Sequence, residues 1–149
     1  MPQKVLLLTA GYAGHDPESF LARLREHDVK VVVDLRQNPV SRKKGFSGSR
    51  LSAFLAANDV EYVHESELGV PVELRRKLKS GEEDLSAYLD SFRDYLANCG
   101  AALDRLYELA FKKRCCLMCV EHLPTECHRS VVAEAVTARN GHNLRVLHL

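Results

Sequence analysis

Val5 to Leu8 is an unbroken apolar run that stops at Thr9-Ala10-Gly11-Tyr12-Ala13-Gly14-His15, and a short run bounded by glycines predicts a fully buried strand. Asp16 and Pro17 then supply an N-cap and a first helical residue, while Phe20, Leu21 and Leu24 share one helix face; this helix is expected to stop near His27 or Asp28. Val29 to Leu35 is β-branched and almost wholly apolar, the pattern of a strand covered on both faces, and it ends at Asp34-Leu35-Arg36-Gln37-Asn38-Pro39. Leu51, Phe54 and Leu55 keep helical spacing until Asn58-Asp59. Val60 to His64 reads as a third strand, Leu68-Gly69-Val70-Pro71 as a turn and Glu73 to Leu78 as a brief helix. Between Glu82 and Lys113, Leu85, Leu89, Phe92, Leu96, Leu103, Leu106, Leu109 and Ala110 recur at threes and fours, with a break at Asn98-Cys99-Gly100. That pattern predicts two consecutive helices. A fourth strand over about Arg114 to Val120, a last helix over about Thr125 to Asn140 and a fifth strand over Leu144 to Leu149 complete the reading.

Strands alternating with helices imply crossover connections and a mainly parallel sheet. The expected fold is a single doubly wound α/β domain over residues 1–149, with about five strands and helices on both faces. A hydrophobic content of 46% in 149 residues is enough to build one core without metals or disulfides. Lys and Arg number 21 against 20 Asp and Glu, so a net charge of +1 gives no global field to steer a polyanion, and any anion affinity must be local. The amino terminus lacks the pattern of a signal peptide and no run reaches membrane-spanning length, so a cytoplasmic location and no membrane partner are expected. Five cysteines, an odd number, argue against a disulfide framework.

Three polar clusters each fall just after a different strand: Gly11 to His15, Asp34 to Ser41 and Cys119 to Arg129. In a parallel sheet all three emerge at the carboxyl edge, where open α/β sheets bind ligands and where helix amino termini favour anions. Cys116 and Cys119 form a C-x-x-C, but residues three apart on a strand face opposite sides and do not share a metal or a disulfide. Cys99, Cys115 and Cys116 are therefore read as packing residues. Cys119 and Cys127 flank a strand-to-helix turn, and a thiol near a helix start beside His128 and Arg129 is biased toward thiolate. Glu121 is either a base, an orienter of Arg129 or a solvated carboxylate. His15 and His128 have the side chain suited to acid–base work near neutrality. Arg36 and Arg129 can each present a donor fork to phosphate or carboxylate, and Asp34 either joins the site or only orients Arg36. The segment Ser41 to Arg50 places Arg42, Lys43, Lys44 and Arg50 around Phe46, the makings of phosphate contacts with a base-stacking ring and of a loop that orders on binding.

These residues resemble a known family, the one catalogued as domain of unknown function 488. The resemblance is carried by Thr9-Ala10-Gly11-Tyr12-Ala13-Gly14-His15, Asp34-Leu35-Arg36-Gln37-Asn38-Pro39-Val40-Ser41, Gly45-Phe46-Ser47, Tyr62-Val63-His64 with Leu68-Gly69, and Cys119-Val120-Glu121 followed by Cys127-His128-Arg129. It spans essentially the whole chain and implies a small α/β fold with these segments gathered at one site; it brings no established reaction. Val70 departs from the pattern, since the family often has a second glycine there.

The leading functional expectation is an enzyme, a cysteine-dependent hydrolase or transferase of unidentified reaction, acting on a phosphate-bearing or nucleotide-like substrate. Its expected catalytic residues are Cys119, Glu121, Cys127 and His128. The expected substrate-binding residues are Gly11, Tyr12, His15, Asp34, Arg36, Ser41 and Arg129. Competing readings are a nucleic-acid-binding module using loop 41–50 and a Cys/His metal-binding protein; no metal ligand and no cofactor is assigned. A P-loop, a dinucleotide fingerprint and a serine nucleophile elbow are absent from the sequence.

Overall fold

The computed structural model describes residues 5–120, 128–139 and 144–149. Five strands, β1 (Val5–Gly11), β2 (Val31–Asp34), β3 (Glu61–His64), β4 (Cys115–Cys119) and β5 (Leu144–His148), pair in the order β3-β2-β4-β1-β5. Every pairing is parallel, as a chain that alternates strands with helices requires. Among the described residues six α-helices connect them: α1 (Pro17–Glu26), α2 (Gly48–Ala56), α3 (Val72–Ser80), α4 (Leu85–Leu96), α5 (Gly100–Lys112) and α6 (Arg129–Thr137). The α/β fold is thus the one expected. Helix α1 starts where Asp16 accepts from the Ser19 amide at 2.7 Å and Ser19 Oγ accepts from the Asp16 amide, a reciprocal cap. Helix α6 begins at Arg129 with His128 at its N-cap position and ends at Thr137, short of the expected end near Asn140; the expected earlier part of that helix, from Thr125, lies outside the described residues.

Alternation along the central strands divides the core in two. Leu7, Val31, Val33, Cys115 and Leu117 pack with residues of α4, α5 and α6, whereas Leu8, Val32, Cys116 and Met118 pack with Phe20, Leu24, Leu51 and Leu55 of α1 and α2. Burying each large apolar side chain of this kind contributes about 1.5–3 kcal/mol. Helices α1 and α2, which follow β1 and β2, therefore cover one face, and α6, which follows β4, covers the other. Because β4 lies between β2 and β1, its exit diverges from theirs, and that divergence opens a crevice at the carboxyl edge.

One glycine fixes a wall of that crevice. A Cβ on Gly69 would stand 2.3 Å from the Gln37 nitrogen and 2.7 Å from the Leu35 oxygen, so the turn before α3 runs directly against the chain leaving β2. Its φ of −79° is open to any residue; close approach alone demands glycine. Gly69→Ala is expected to lower stability by about 2–4 kcal/mol in urea unfolding, because backbone rather than a flexible side chain blocks the new methyl. Gly100→Ala, whose nearest neighbour would be 3.7 Å away, should shift the midpoint little.

Candidate functional site

At the carboxyl edge the chains leaving β1 and β2 meet the described residues of the third cluster, Cys119, Val120, His128 and Arg129. The Tyr12 amide donates to the Cys119 carbonyl at 3.1 Å, the Ala13 amide to Val120 at 2.8 Å, and the Leu35 amide to Met118 at 3.0 Å, so the exits of β1 and β2 are both stitched to β4. Between β2 and β4 lies a cleft of about 120 Å³ lined by Arg36, Gln37, Asn38, Val40, Val70, Arg75, Tyr88, Cys119, Val120 and His128. Whole small-molecule sites run about 300–1,000 Å³, so this one has room for a single small group of a ligand. A larger depression of about 450 Å³ at the opposite edge, lined by Val5, Lys30, Phe111 and Arg114 among others, carries neither thiol nor imidazole.

Arg36 is anchored in the cleft by a buried carboxylate. Asp34, fully buried, accepts from the Arg36 amide at 3.0 Å, from Nε at 2.9 Å and from Nη2 at 2.7 Å, and also from the Tyr62 hydroxyl. Burial works against the Arg36 charge, but the hydrogen bonds and charge of Asp34 outweigh it and the pKa is raised. Burial, then the bond to Asp34, likewise pushes the Tyr62 hydroxyl up and keeps it a donor. Nη1 of Arg36 reaches the Tyr12 hydroxyl at 3.3 Å, and that hydroxyl donates to Ser41 Oγ at 3.2 Å. Asp34, Tyr12 and Ser41 therefore hold Arg36 and are not among the residues lining the cleft. Gly11 sits in register with Cys119 as part of the same scaffold.

Cys119 is buried at the end of β4, and Arg129 Nη1 donates to its sulfur at 3.4 Å. Arg129 is fully buried and its Nε donates to Thr9 Oγ1 at 3.3 Å. The expectation that Arg129 offers its fork to a ligand is thus corrected: α6 turns it inward, onto β1 and β4. Cys119 is disulfide-bonded, while Cys99, Cys115 and Cys116 are buried free thiols. Burial pushes Cys115 and Cys116 each up to about 12, as packing residues should be. Cys116 and Cys119 do face opposite sides, Cys116 toward α1 and α2 and Cys119 toward Arg129 of α6.

His128 is buried, with its ring edge-on to Phe92 at 5.3 Å and Nε2 donating to the Leu35 carbonyl at 3.4 Å. Burial pushes its pKa down to about 4, against the pull of the Leu35 bond and with Arg129 and Arg75 adding to the fall. At neutral pH it is therefore an uncharged imidazole, with no imidazolium proton to give. His15 does not line the cleft; its Nδ1 lies 3.0 Å from Ser19 Oγ and its ring edge-on to Phe20. Glu121 and Cys127 lie outside the described residues.

The segment 41–50 differs from the expectation in two respects, the first being that α2 begins at Gly48, so its last three residues are helical. Phe46 is fully buried, stacked on Tyr12 at 4.5 Å and edge-on to Phe20, so it is not a platform for a base. The cause is Gly45, whose φ of +87° and contact with Pro17 fold the chain back onto α1. Lys43, Lys44 and Arg50 line a separate depression of about 630 Å³ beside Asp16 and Pro17, and Arg42 is exposed. Arg75 and Tyr88 are cleft residues that sequence reasoning did not single out, while Val70, the one departure from the family pattern, also lines the cleft. The Leu68-Gly69 turn was the available signal, since it delivers α3 to the cleft, and Arg75 flanks the inward-packed Leu74. Among the described residues no group of three or more His, Cys, Asp or Glu side chains is placed to hold a metal ion.

The family model described as domain of unknown function DUF488 matches residues 16–136, and the chain belongs to that family. No curated protein and no solved structure matches the chain.

The depressed pKa of His128 has a stability consequence with a definite sign. Its imidazole takes up a proton near 6.5 when unfolded but only near 4 when folded, so its contribution is complete above pH 6.5 and is lost as pH falls toward 4. Urea unfolding should show up to about 3 kcal/mol of extra loss over that window. His128→Gln, which keeps a neutral donor for Leu35, should flatten the slope; equal slopes for the two proteins would contradict the assignment.

Proposed function

We propose that this protein is an enzyme acting on a small phosphate-bearing substrate, with reduced Cys119 as the nucleophile and Arg36 and Arg75 holding the anion. The observation that carries this reading is the position of Cys119: it lines the cleft with two guanidinium-bearing residues, and a third, Arg129, reaches its sulfur at 3.4 Å. A neighbouring cation favours the thiolate, which is the attacking form of cysteine. Arg36 arrives pre-oriented, so little freedom is lost when a phosphate docks on it. The cleft accommodates one anionic group, and the remainder of a nucleotide-like substrate would extend outward past Asn38 and Val40, which are exposed.

In this mechanism the thiolate forms a bond to the electrophilic centre of the substrate, and the bond to the leaving group breaks with its electron pair going to that group. Water or a second acceptor then displaces the sulfur, which gives hydrolysis or transfer respectively and restores the thiolate. His128, held neutral by burial and the two arginines, does not supply a proton as imidazolium at neutral pH. The disulfide at Cys119 makes activity dependent on a reductant.

A nucleic-acid reading keeps one supporting observation: among the described residues Arg42, Lys43, Lys44 and Arg50 form no ion pairs. It rests on backbone contacts alone, because Phe46 is buried.

The test is turnover of a panel of phosphate monoesters and nucleotides by protein reduced with a phosphine. Cys119→Ser should lower kcat at least about a thousandfold, while Arg36→Met and Arg75→Met should each raise KM about tenfold or more, the loss of one charge-assisted contact. No turnover of any member, with no saturable binding of inorganic phosphate, would overturn the reading. Salt-sensitive binding of single-stranded RNA that vanishes when Arg42, Lys43 and Lys44 are replaced by alanine would favour the alternative.

A further inference from the structure

Arg129 is a planar fork with two edges in use. Nη1 donates to Cys119 at the end of β4, and Nε donates to Thr9 Oγ1 in the middle of β1. Thr9 Oγ1 also lies 2.5 Å from Nδ1 of His148 on the edge strand β5, directly beside it in register. Nε of arginine only donates, so the Thr9 oxygen is an acceptor there, and the same oxygen shares its second hydrogen bond with the His148 ring, in a direction set by the tautomer of that ring. A continuous chain of hydrogen bonds therefore runs from the last strand to the sulfur: His148, Thr9, Arg129, Cys119.

We propose that Thr9 and His148 are positioning residues that set the reactivity of Cys119 by holding Arg129 against its sulfur. This rests on the reading of Cys119 as the nucleophile. The reason lies in the geometry of arginine, whose Nη groups cannot be aimed independently of Nε. Fixing Nε on Thr9 fixes the plane of the fork and with it the direction of Nη1. Thr9 is fully buried, so its hydroxyl has to be held by hydrogen bonds, and Arg129 and His148 are the two side chains that bond it. Burial, followed by the charge of Arg129, lowers the His148 pKa. The carboxyl-terminal strand, which contributes nothing to the lining of the cleft, thereby acts on the thiol from behind.

The experiment is an ultraviolet titration of thiolate absorbance in the reduced protein, with the Cys119→Ser protein subtracted to isolate the one sulfur. Wild type should ionise well below an ordinary cysteine. Thr9→Val, nearly isosteric but unable to accept from Nε, and His148→Phe should each raise the apparent pKa by about one unit, a tenfold loss of thiolate at a pH below both values. Thr9→Ser should restore the wild-type curve, which a purely structural role for the threonine methyl would not do. Should Thr9→Val fail to fold, His148→Phe on the solvent-facing edge strand carries the test alone. If wild-type Cys119 ionises like an ordinary thiol, the nucleophile reading and this inference both fail. If it ionises low but Thr9→Val and His148→Phe leave the curve unchanged, only the positioning role is overturned.

Discussion

Asp34 is the constraint around which the site is built. It is a fully buried carboxylate, and its charge is tolerable in the interior only because three donors from Arg36 and one from Tyr62 surround it. Removing either partner of such a buried pair typically costs about 3–5 kcal/mol, since the survivor is left charged and unmatched. The geometry follows from the same requirement. Arg36 must bend back toward the strand that carries Asp34, which leaves Nη1 to reach Tyr12 and brings β1 and loop 41–50 into the same network through Ser41. Glycine at position 69 then lets the turn into α3 close against this chain, bringing Val70 and Arg75 to the cleft.

Two arginines in one small region thus serve different ends. Arg36 is held from behind by a carboxylate and lines the cleft, whereas Arg129 is wholly internal and directed at the sulfur of Cys119. A cation on each side of the reacting position is the electrostatic arrangement that both draws an anion and favours a thiolate. Strand order produces it: β4 ends between strands whose helices cover the other face, so its terminal cysteine meets Arg36 from β2 and Arg129 from α6.

Elements set by local rules were legible in the chain. The Asp16-Pro17 start of α1, the break at Asn98-Cys99-Gly100 and the opposed facing of Cys116 and Cys119 all depend on near neighbours or on strand period. The meeting of the strand-end clusters was legible as well, because a parallel sheet puts all carboxyl ends on one edge. What was not legible depends on long-range packing. Phe46 looked like a ring exposed among cations, and only Tyr12 and Phe20, distant in sequence, bury it. Arg129 looked like a surface anion holder until the fold placed β1 beneath it. Tyr88 and Arg75 sit on helices whose sequence shows only amphipathic spacing, and their approach to the cleft is fixed by a turn some residues away.

The central claim, that the cleft beside Cys119 receives an anionic group, is tested most directly by a crystal structure of the reduced protein grown with tungstate, a heavy tetrahedral analogue of phosphate. The account predicts the ion in the cleft, bonded to Arg36 and Arg75 and adjacent to the Cys119 sulfur. Tungstate bound instead among Lys43, Lys44 and Arg50, with none beside Cys119, would contradict it.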